Sequence, residues 1–307
     1  QVVKKKCQDR PTILASIQGH LARIYQLQGQ YSESAKIYRQ VLEIQRSCLQ
    51  MFSPEIAETL NDLGVVLYKQ GKYLEAEPLY LEAIKLWQAS YGEIHPEVVE
   101  GQINLAGLYN SQGKYVEAEQ LFLQTLETSK HCLGEQHPRI AGYIGNLAYC
   151  YKSQGKLEKA EPLYIEALTL YRKLLDKEHP SFCEALNNLG MLYANQKKYS
   201  AAEELLTEAV EIQQKVFGEN HPDVARGIIN IAYQYDIQNR FEEAEPLYIK
   251  SLEMRKKLLG KAHPKVAISL NNLATLYRLT NRCNEATPLY EEALKLLETQ
   301  LGEDHPL

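Results

Sequence analysis

A His-Pro dipeptide returns at a constant interval of 42 residues along this chain of 307 residues. The copies begin at His95, His137, His179, His221, His263 and His305, and Ser53-Pro54 occupies the same place one interval earlier. A fixed period between about 20 and 50 residues is typical of stacked repeats, in which each unit buries its apolar side only against its neighbours. The spacing therefore predicts a repeat array.

Each interval contains two apolar patterns with steps of three and four residues, as on one face of an α-helix. The first contains an aliphatic column followed by a small residue, as in Leu105-Ala106 and Leu189-Gly190. The second contains aromatic and small residues, such as Tyr73, Ala76 and Tyr80. Two helices of about 18 and 20 residues per repeat are expected. The predicted fold is an all-α solenoid of seven antiparallel helix pairs.

The turn inside each predicted pair needs a residue with positive φ, which glycine adopts most easily. Gly29, Gly71, Gly113 and Gly155 occupy this position in the first four repeats. The later repeats carry Lys197, Asn239 and Asn281 there. Lysine tolerates this conformation poorly, so we expect Lys197 to have a positive φ or a distorted turn.

The repeated order of Leu, Gly or Ala, Tyr, Gly, Tyr and Ala resembles the tetratricopeptide repeat. The 42-residue period and the strings LNNLATLY, QGKYLEAEPLY and LGKAHPKVA are similar to the kinesin light chain branch, in a prokaryotic or otherwise divergent form. The resemblance covers nearly all of residues 11–304. It implies a right-handed superhelix with the first helix of each pair on its concave side.

The periodic columns also predict the organisation at both ends. Residues 1–10 align with the end of a second helix and are expected to be the tail of a preceding repeat helix. Residues 11–304 make up the seven repeats, and residues 305–307 begin a truncated eighth. Because both ends then lack a polar capping helix, end-to-end self-association is expected.

Composition excludes several classes of function. The net charge is −5 with both signs interspersed, so the chain has no basic patch of the kind that binds nucleic acid. It also has no apolar stretch long enough to span a membrane. Its six cysteines lack C-x-x-C spacing, and several fall in apolar columns, among them Cys150 and Cys283. They are expected to be reduced core residues of a cytoplasmic protein.

Neither a metal site nor an enzyme is predicted. Each repeat supplies one histidine at one loop, whereas a metal site needs three or four converging ligands. The histidines are expected to cap or pack the helix starts. His179 and Cys183 could mimic a nucleophile pair, but Cys183 falls in a column of small buried residues. We expect no catalytic residues, no metal and no cofactor.

One polar column suggests a binding role. Asparagine recurs immediately before the core aliphatic column, at Asn104, Asn146, Asn188, Asn230 and Asn272, and we call these five residues the asparagine ladder. Asparagine both donates and accepts, as a peptide group does. Repeats about 10 Å apart match about three residues of extended chain. Bonds to the adjacent repeat are the alternative role.

Other candidate residues share this helix face. Tyr149, Met191 and Tyr233 follow the ladder by three residues, and Arg226 precedes Asn230 by one turn. Kinesin light chains use asparagine and basic residues for acidic cargo peptides, so the resemblance implies an acidic extended motif. Glu58, Glu100 and Glu184 interrupt that pattern here.

The predicted function is a non-catalytic scaffold that binds an extended peptide segment of a protein partner in the concave groove. The alternative is a regulatory or spacer array that packs on other domains of a larger multidomain signalling protein. A coiled coil upstream would favour the first, and a nucleotide-binding or protease-like domain the second.

Overall fold

The computed structural model describes residues 2–50, 53–176 and 178–301, and within these ranges it contains fourteen α-helices and no strand. The helices are α1 (Val2–Leu27), α2 (Tyr31–Cys48), α3 (Pro54–Lys69), α4 (Tyr73–Tyr91), α5 (Pro96–Ser111), α6 (Tyr115–Leu133), α7 (Pro138–Ser153), α8 (Leu157–Leu174), α9 (Pro180–Asn195), α10 (Tyr199–Phe217), α11 (Pro222–Asp236), α12 (Phe241–Leu259), α13 (Pro264–Leu279) and α14 (Cys283–Leu301). They form seven helix pairs, numbered here as repeats 1 to 7. The predicted all-α repeat array is confirmed.

From repeat 2 onwards, the helices are slightly shorter than the predicted 18 and 20 residues. Helix α5 has 16 residues and its partner α6 has 19. In repeats 2 to 7 the first helix starts at proline, whose fixed φ and missing N–H suit the first helical position. The first helix ends before the residue with positive φ. Residues that the apolar pattern had assigned to this helix therefore belong to the turn.

The turn inside each pair has the predicted geometry. Gly113 has a φ of 76°, its N–H donates to the carbonyl of Asn110, and the next N–H, of Lys114, donates to the carbonyl of Tyr109. These two bonds satisfy carbonyls at the end of the helix. Lys197 forms the equivalent turn with a φ of 62°. The prediction of a positive φ at this lysine is confirmed.

Helix α1 differs from the sequence-based prediction. It runs without a break over 26 residues and contains Pro11. Residues 2–10, assigned from the sequence to the tail of a preceding repeat helix, are therefore continuous with the first helix of repeat 1. A proline at this point removes one backbone donor, and the helix continues across it. His305-Pro306 and the predicted eighth repeat lie outside the described residues.

The chain divides into two compact units, of which the first contains α1 to α6 and the second begins at Gln136 with α7. Within each unit, helices α2, α4, α8, α10 and α12 pack on the first helix of their own repeat and on that of the next. In the first unit Tyr38, Tyr80 and Trp87 fill the core between the helix layers. In the second unit Tyr248 packs among aliphatic residues in the same way.

Close packing in the first unit depends on one glycine. A Cβ atom on Gly101 of α5 would lie 2.9 Å from Ile84 Cγ1 and 2.9 Å from Trp87 Cζ3 of α4. The indole therefore occupies the space that a side chain at position 101 would need. The glycine sets how closely α5 approaches α4.

A repeated polar contact connects adjacent repeats within each unit. Lys114 Nζ lies 3.1 Å from Glu77 Oε2 of the preceding repeat and 5.0 Å from the centroid of the Tyr109 ring. In the second unit, Arg282 makes the same pair of contacts, with Glu245 at 2.7 Å and with Tyr277 at 4.1 Å. Such exposed pairs contribute little energy individually. Their constant geometry helps to fix the orientation of each repeat on the next.

Candidate functional site

The asparagine ladder lies on the first helices of repeats 3 to 7, at the edge of the core. Asn104 belongs to the first unit, and the other four belong to the second. Asn146 is exposed, and the other four are half-buried. The position follows from the helical period, since the next residue in each repeat is an aliphatic one that is buried or, at Ile231, partly buried.

Two ladder residues are hydrogen-bonded to the preceding repeat. Asn104 Nδ2 donates to Asn61 Oδ1 at 3.0 Å, and Asn230 Nδ2 donates to Asn187 Oδ1 at 2.8 Å. Both acceptors lie 43 residues before their donors. Asn187 is itself buried and donates to the carbonyl of Cys183 at 2.8 Å. The alternative role considered for the ladder was hydrogen bonding to the adjacent repeat. These two ladder residues make such bonds.

The other three ladder residues have no such bond. The side-chain amides of Asn146, Asn188 and Asn272 make no hydrogen bond to another side chain or to the backbone of the described residues. For all three, the position 43 residues earlier that would supply the acceptor holds Ile103, Gly145 or Ile229. None of these residues has a side chain that can accept a hydrogen bond. These amides therefore keep a donor and an acceptor for another molecule.

The predicted side-chain contacts next to the ladder are accessible to different degrees. Tyr149, one turn after Asn146 on α7, is 55% exposed, and Tyr233 on α11 is 36% exposed. Met191 on α9 is half-buried. Exposed tyrosines offer apolar surface and one hydroxyl with little conformational freedom to lose. The same column holds Gly107 and Thr275 in repeats 3 and 7, so its residues vary in size and polarity from repeat to repeat.

Arg226 is exposed on the first turn of α11, but its charge already has a partner. Its Nη2 lies 3.3 Å from Asp223 Oδ1 of the same helix. An external carboxylate would therefore share the guanidinium with Asp223. Such an exposed pair is weak, so the guanidinium keeps donors for a ligand.

A buried arginine near Arg226 was missed by the sequence reasoning. Arg255 of α12 is only 6% exposed, and its Nη1 donates to the Lys265 carbonyl at 2.9 Å and to Ser269 Oγ at 3.0 Å. Burial, and then the positive charge of Arg226, lower the pKa of Arg255 to about 10. Its Nε has no hydrogen-bond partner. The sequence feature that could have revealed Arg255 is its charge, since the same column holds Gln45, Trp87, Ser129, Tyr171, Gln213 and Leu297 in the other repeats.

The periodic histidines cap the first helices, as predicted. The backbone N–H of Arg139 donates to His137 Nδ1 at 3.2 Å, and the same bond occurs at His95, His179, His221 and His263. A side-chain acceptor at this position satisfies one of the free N–H groups of the first turn. The histidines thus have a structural function. In the described part of the chain, no three His, Cys, Asp or Glu side chains are grouped as metal ligands would be.

The cysteines follow the prediction only in part. Cys150 and Cys183 are buried in the core, and burial raises the pKa of the Cys183 thiol to about 11. A thiol with a raised pKa is a poor nucleophile at neutral pH. Cys283 is exposed, so the prediction that it is a core residue is wrong. Its column is at most half-buried even where it holds Tyr73 or Tyr115, because it lies at the start of the second helix.

Among the residues that the structure describes, no helix combines the length and apolar character needed to cross a lipid bilayer. Sequence comparison with curated proteins yields no match.

Solved structures with similar folds include two related to kinesin light chains. BtubC (BKLC) from P. vanneervenii is 22% identical with a TM-score of 0.58, over 78% of this chain and 94% of that one. The putative kinesin light chain of Podospora anserina, with nearly identical TPR-like repeats, is 28% identical with a TM-score of 0.54, over 67% of this chain and 98% of that one.

A third structure is the Rap conjugation gene regulator of plasmid pLS20 in complex with the Phr* peptide. It is 15% identical with a TM-score of 0.70, over 96% of this chain and 77% of that one. At this identity the likeness concerns the fold.

The family itself is defined by the sequence of the repeats. Models of the tetratricopeptide repeat match residues 14–49, 55–131, 97–173, 138–211, 181–248 and 223–299. These matches extend over most of the chain and coincide with the observed helix pairs. The chain therefore belongs to the tetratricopeptide repeat family.

Proposed function

We propose that the second unit binds an extended peptide segment of a protein partner along its first helices, α7, α9, α11 and α13. One observation carries this proposal. Asn146, Asn188 and Asn272 present side-chain amides that make no hydrogen bond within the described structure, at positions that recur with the period of the array. A helical asparagine has no propensity advantage, so its repeated use favours a role in binding.

The spacing of repeats fits a peptide backbone. Packed helices lie about 8–10 Å apart, and an extended chain advances about 3.3 Å per residue. One ladder amide per repeat therefore matches about every third peptide group. An amide can donate to the carbonyl and accept from the N–H of such a group. Recognition through the backbone would hold a peptide without selecting its sequence.

Sequence selection would then come from the residues beside the ladder. Tyr149 and Tyr233 supply exposed aromatic surface, and Met191 supplies a deformable apolar contact. Arg226 would bind a carboxylate by charge-assisted hydrogen bonds in competition with Asp223. An acidic residue in the peptide is therefore the preferred partner of this surface, as the resemblance to kinesin light chains implies.

Affinity is expected to be modest, because an extended peptide loses conformational entropy when it binds. The Phr* peptide bound by the Rap regulator shows that a protein of similar fold takes a peptide ligand. The free thiols of Cys150, Cys183 and Cys283 are consistent with a reducing compartment, and we include a cytoplasmic location in the proposal.

The test is peptide selection followed by mutation of the unbonded amides. A peptide selected from a random display library would be titrated by fluorescence anisotropy against the full chain and against the triple variant Asn146→Ala, Asn188→Ala, Asn272→Ala. Each lost neutral hydrogen bond is worth about 0.5–1.5 kcal/mol, so binding should weaken by roughly 1.5–4.5 kcal/mol. The melting temperature should change little, because these amides have no partner to lose.

The control is Asn284→Ala on the second helix of repeat 7, which is also an exposed asparagine. It should leave both affinity and melting temperature unchanged. Unchanged peptide binding by the triple variant would overturn the proposal. It would favour the alternative of a regulatory or spacer array that packs on other domains.

A further inference from the structure

A cleft of about 380 Å³ opens between α1, α2 and α3 in the first unit. It contains the ladder positions of the first two repeats, which hold His20 and Asp62 instead of asparagine. It also contains Glu58, at the position that Arg226 occupies four repeats later. Its volume lies in the range of about 300–1,000 Å³ that ligand sites typically have.

One side of the cleft is apolar. Ala15 of α1 and Val41 and Ile44 of α2 line it, together with Leu49. Such a surface accepts aliphatic groups and releases the water that covers it. The long methylene stem of a lysine or arginine side chain can lie on a surface of this kind.

The opposite side is acidic. Glu55, Glu58 and Asp62 all line the cleft from α3, and steps of three and four residues place them on one helix face. Arg23 is the one arginine or lysine among the lining residues. Three carboxylates and one guanidinium leave a net charge of about −2 for the lining. The cleft is therefore complementary to a cation.

The cleft also contains hydrogen-bond acceptors that a donor on a ligand could satisfy. Gln45 lines the cleft, and its Oε1 is buried and has no hydrogen-bond partner. Asp62 Oδ2 accepts one bond, from the Tyr38 hydroxyl at 3.3 Å, and burial raises the pKa of this carboxyl. A buried acceptor without a donor is costly, and a bound cation with several N–H groups would satisfy it.

The described residues contain no group of three His, Cys, Asp or Glu side chains that could hold a metal ion. A guanidinium has five donors spread over a plane and can reach several acceptors at once. An organic cation on an aliphatic stem therefore fits better than a bare ion.

We propose that this cleft binds a basic side chain, arginine or lysine, of a peptide ligand. The site is separate from the asparagine ladder of the second unit, since all its residues belong to the first. We therefore expect the cleft to select a positively charged side chain of the ligand, whereas the proposed surface of the second unit selects an acidic one. Binding weakens with added salt, because the pairs are partly exposed and are screened.

The first experiment uses small probes of defined charge. N-acetyl-arginine amide and its neutral analogue N-acetyl-citrulline amide would be titrated into the methyl-labelled full chain and followed by NMR. The arginine probe should shift the methyl signals of Val41, Ile44 and Leu49 in a saturable way, and bind roughly tenfold more tightly than citrulline. Equal affinity of the two probes, or no shift at these methyls, overturns the proposal.

The second experiment changes the charge of the cleft. Glu55 and Glu58 are exposed, so the double variant Glu55→Gln, Glu58→Gln should keep its fold, which circular dichroism would verify. It should bind the arginine probe roughly tenfold more weakly. The matched control is Glu75→Gln, Glu82→Gln on α4, where both glutamates pair with arginines of α2. An equal loss in the control, or no loss in the cleft variant, contradicts the proposal.

The two proposals fail independently. The triple asparagine variant of the second unit should bind the arginine probe with the affinity of the unmodified chain. The cleft variant should in turn keep its response to a peptide that contains no basic residue.

Discussion

The side-chain amide of Asn230 donates a 2.8 Å hydrogen bond to Oδ1 of Asn187, which lies in the preceding repeat. Asn187 is 4% exposed and donates in turn to the carbonyl of Cys183. The first of these bonds connects α11 to α9, and the second lies within α9 and holds the buried Asn187 side chain in place. Asn188, the next residue of α9, makes no such bond, so two adjacent asparagines on one helix differ in their contacts.

The first prediction separates these two asparagines. Asn187→Ala removes both bonds and leaves the amide of Asn230 without its acceptor, so the free energy of unfolding should fall by about 1–3 kcal/mol. Asn188→Ala should change it by less than about 0.5 kcal/mol. Urea denaturation followed by circular dichroism measures both values. Equal losses for the two variants would show that Asn188 also has a structural partner.

The second prediction concerns the lysine with positive φ. Lys197→Gly should stabilise the chain by up to about 1 kcal/mol, because glycine has no Cβ penalty in this conformation. The matched control reverses the change one repeat earlier, where Gly155 has a φ of 74°. Gly155→Lys should destabilise by a similar amount in thermal denaturation. A destabilising Lys197→Gly would contradict this account.

The third prediction compares two glycines of helix α5. Gly101→Ala places a methyl group 2.9 Å from atoms of Ile84 and Trp87, so overpacking should cost about 1–3 kcal/mol. A Cβ at Gly107 meets no atom within 4 Å. Gly107→Ala should instead stabilise the helix by roughly 0.5–1 kcal/mol. Chemical denaturation of both variants tests the pair, and the prediction fails if both change stability in the same direction.

The fourth prediction concerns pH. Burial first, and then the charge of Glu58, raise the pKa of Asp62 above its ordinary value. The folded state therefore holds this proton more tightly than the unfolded state. The stabilisation by the protonated carboxyl is present at low pH and is lost as pH rises through the raised pKa.

Asparagine occupies this column in five later repeats, so Asp62→Asn is compatible with the fold. It should raise the free energy of unfolding at neutral pH by about 0.5–1 kcal/mol. The difference should shrink as pH falls towards the raised pKa of Asp62. Urea denaturation at several pH values measures this dependence. A difference that does not change with pH would show that ionisation of Asp62 is not its cause.

The fifth prediction concerns self-association. Helix α1 exposes an apolar stripe that contains Ile13, Ile17, Leu21 and Ile24, and α14 exposes Leu294. Apolar surface of this extent favours contact with another copy of the chain. The average mass in sedimentation experiments should therefore rise with protein concentration, and Ile17→Glu should reduce the rise. A constant monomer mass at all concentrations would contradict the expectation.

The sequence by itself determined the helix pairs, their period and their turns. Proline at the first helical position and a positive φ at Gly113 or Lys197 are local requirements of the backbone, so each can be read from its neighbours in the chain. The stripe of apolar residues then decides which face of each helix is buried. These features were predictable because they depend on residues within one or two turns.

Only the tertiary structure decided which asparagines are structural. The ladder looks uniform in sequence, yet Asn230 is bonded and Asn188 is not, because the residue 43 positions earlier is Asn187 in one case and Gly145 in the other. Contacts between repeats likewise determine the burial of Arg255 and the cleft beside Asp62. Hydrogen bonds and cavities depend on atoms that fold together from distant positions, so a pattern of residue types does not specify them.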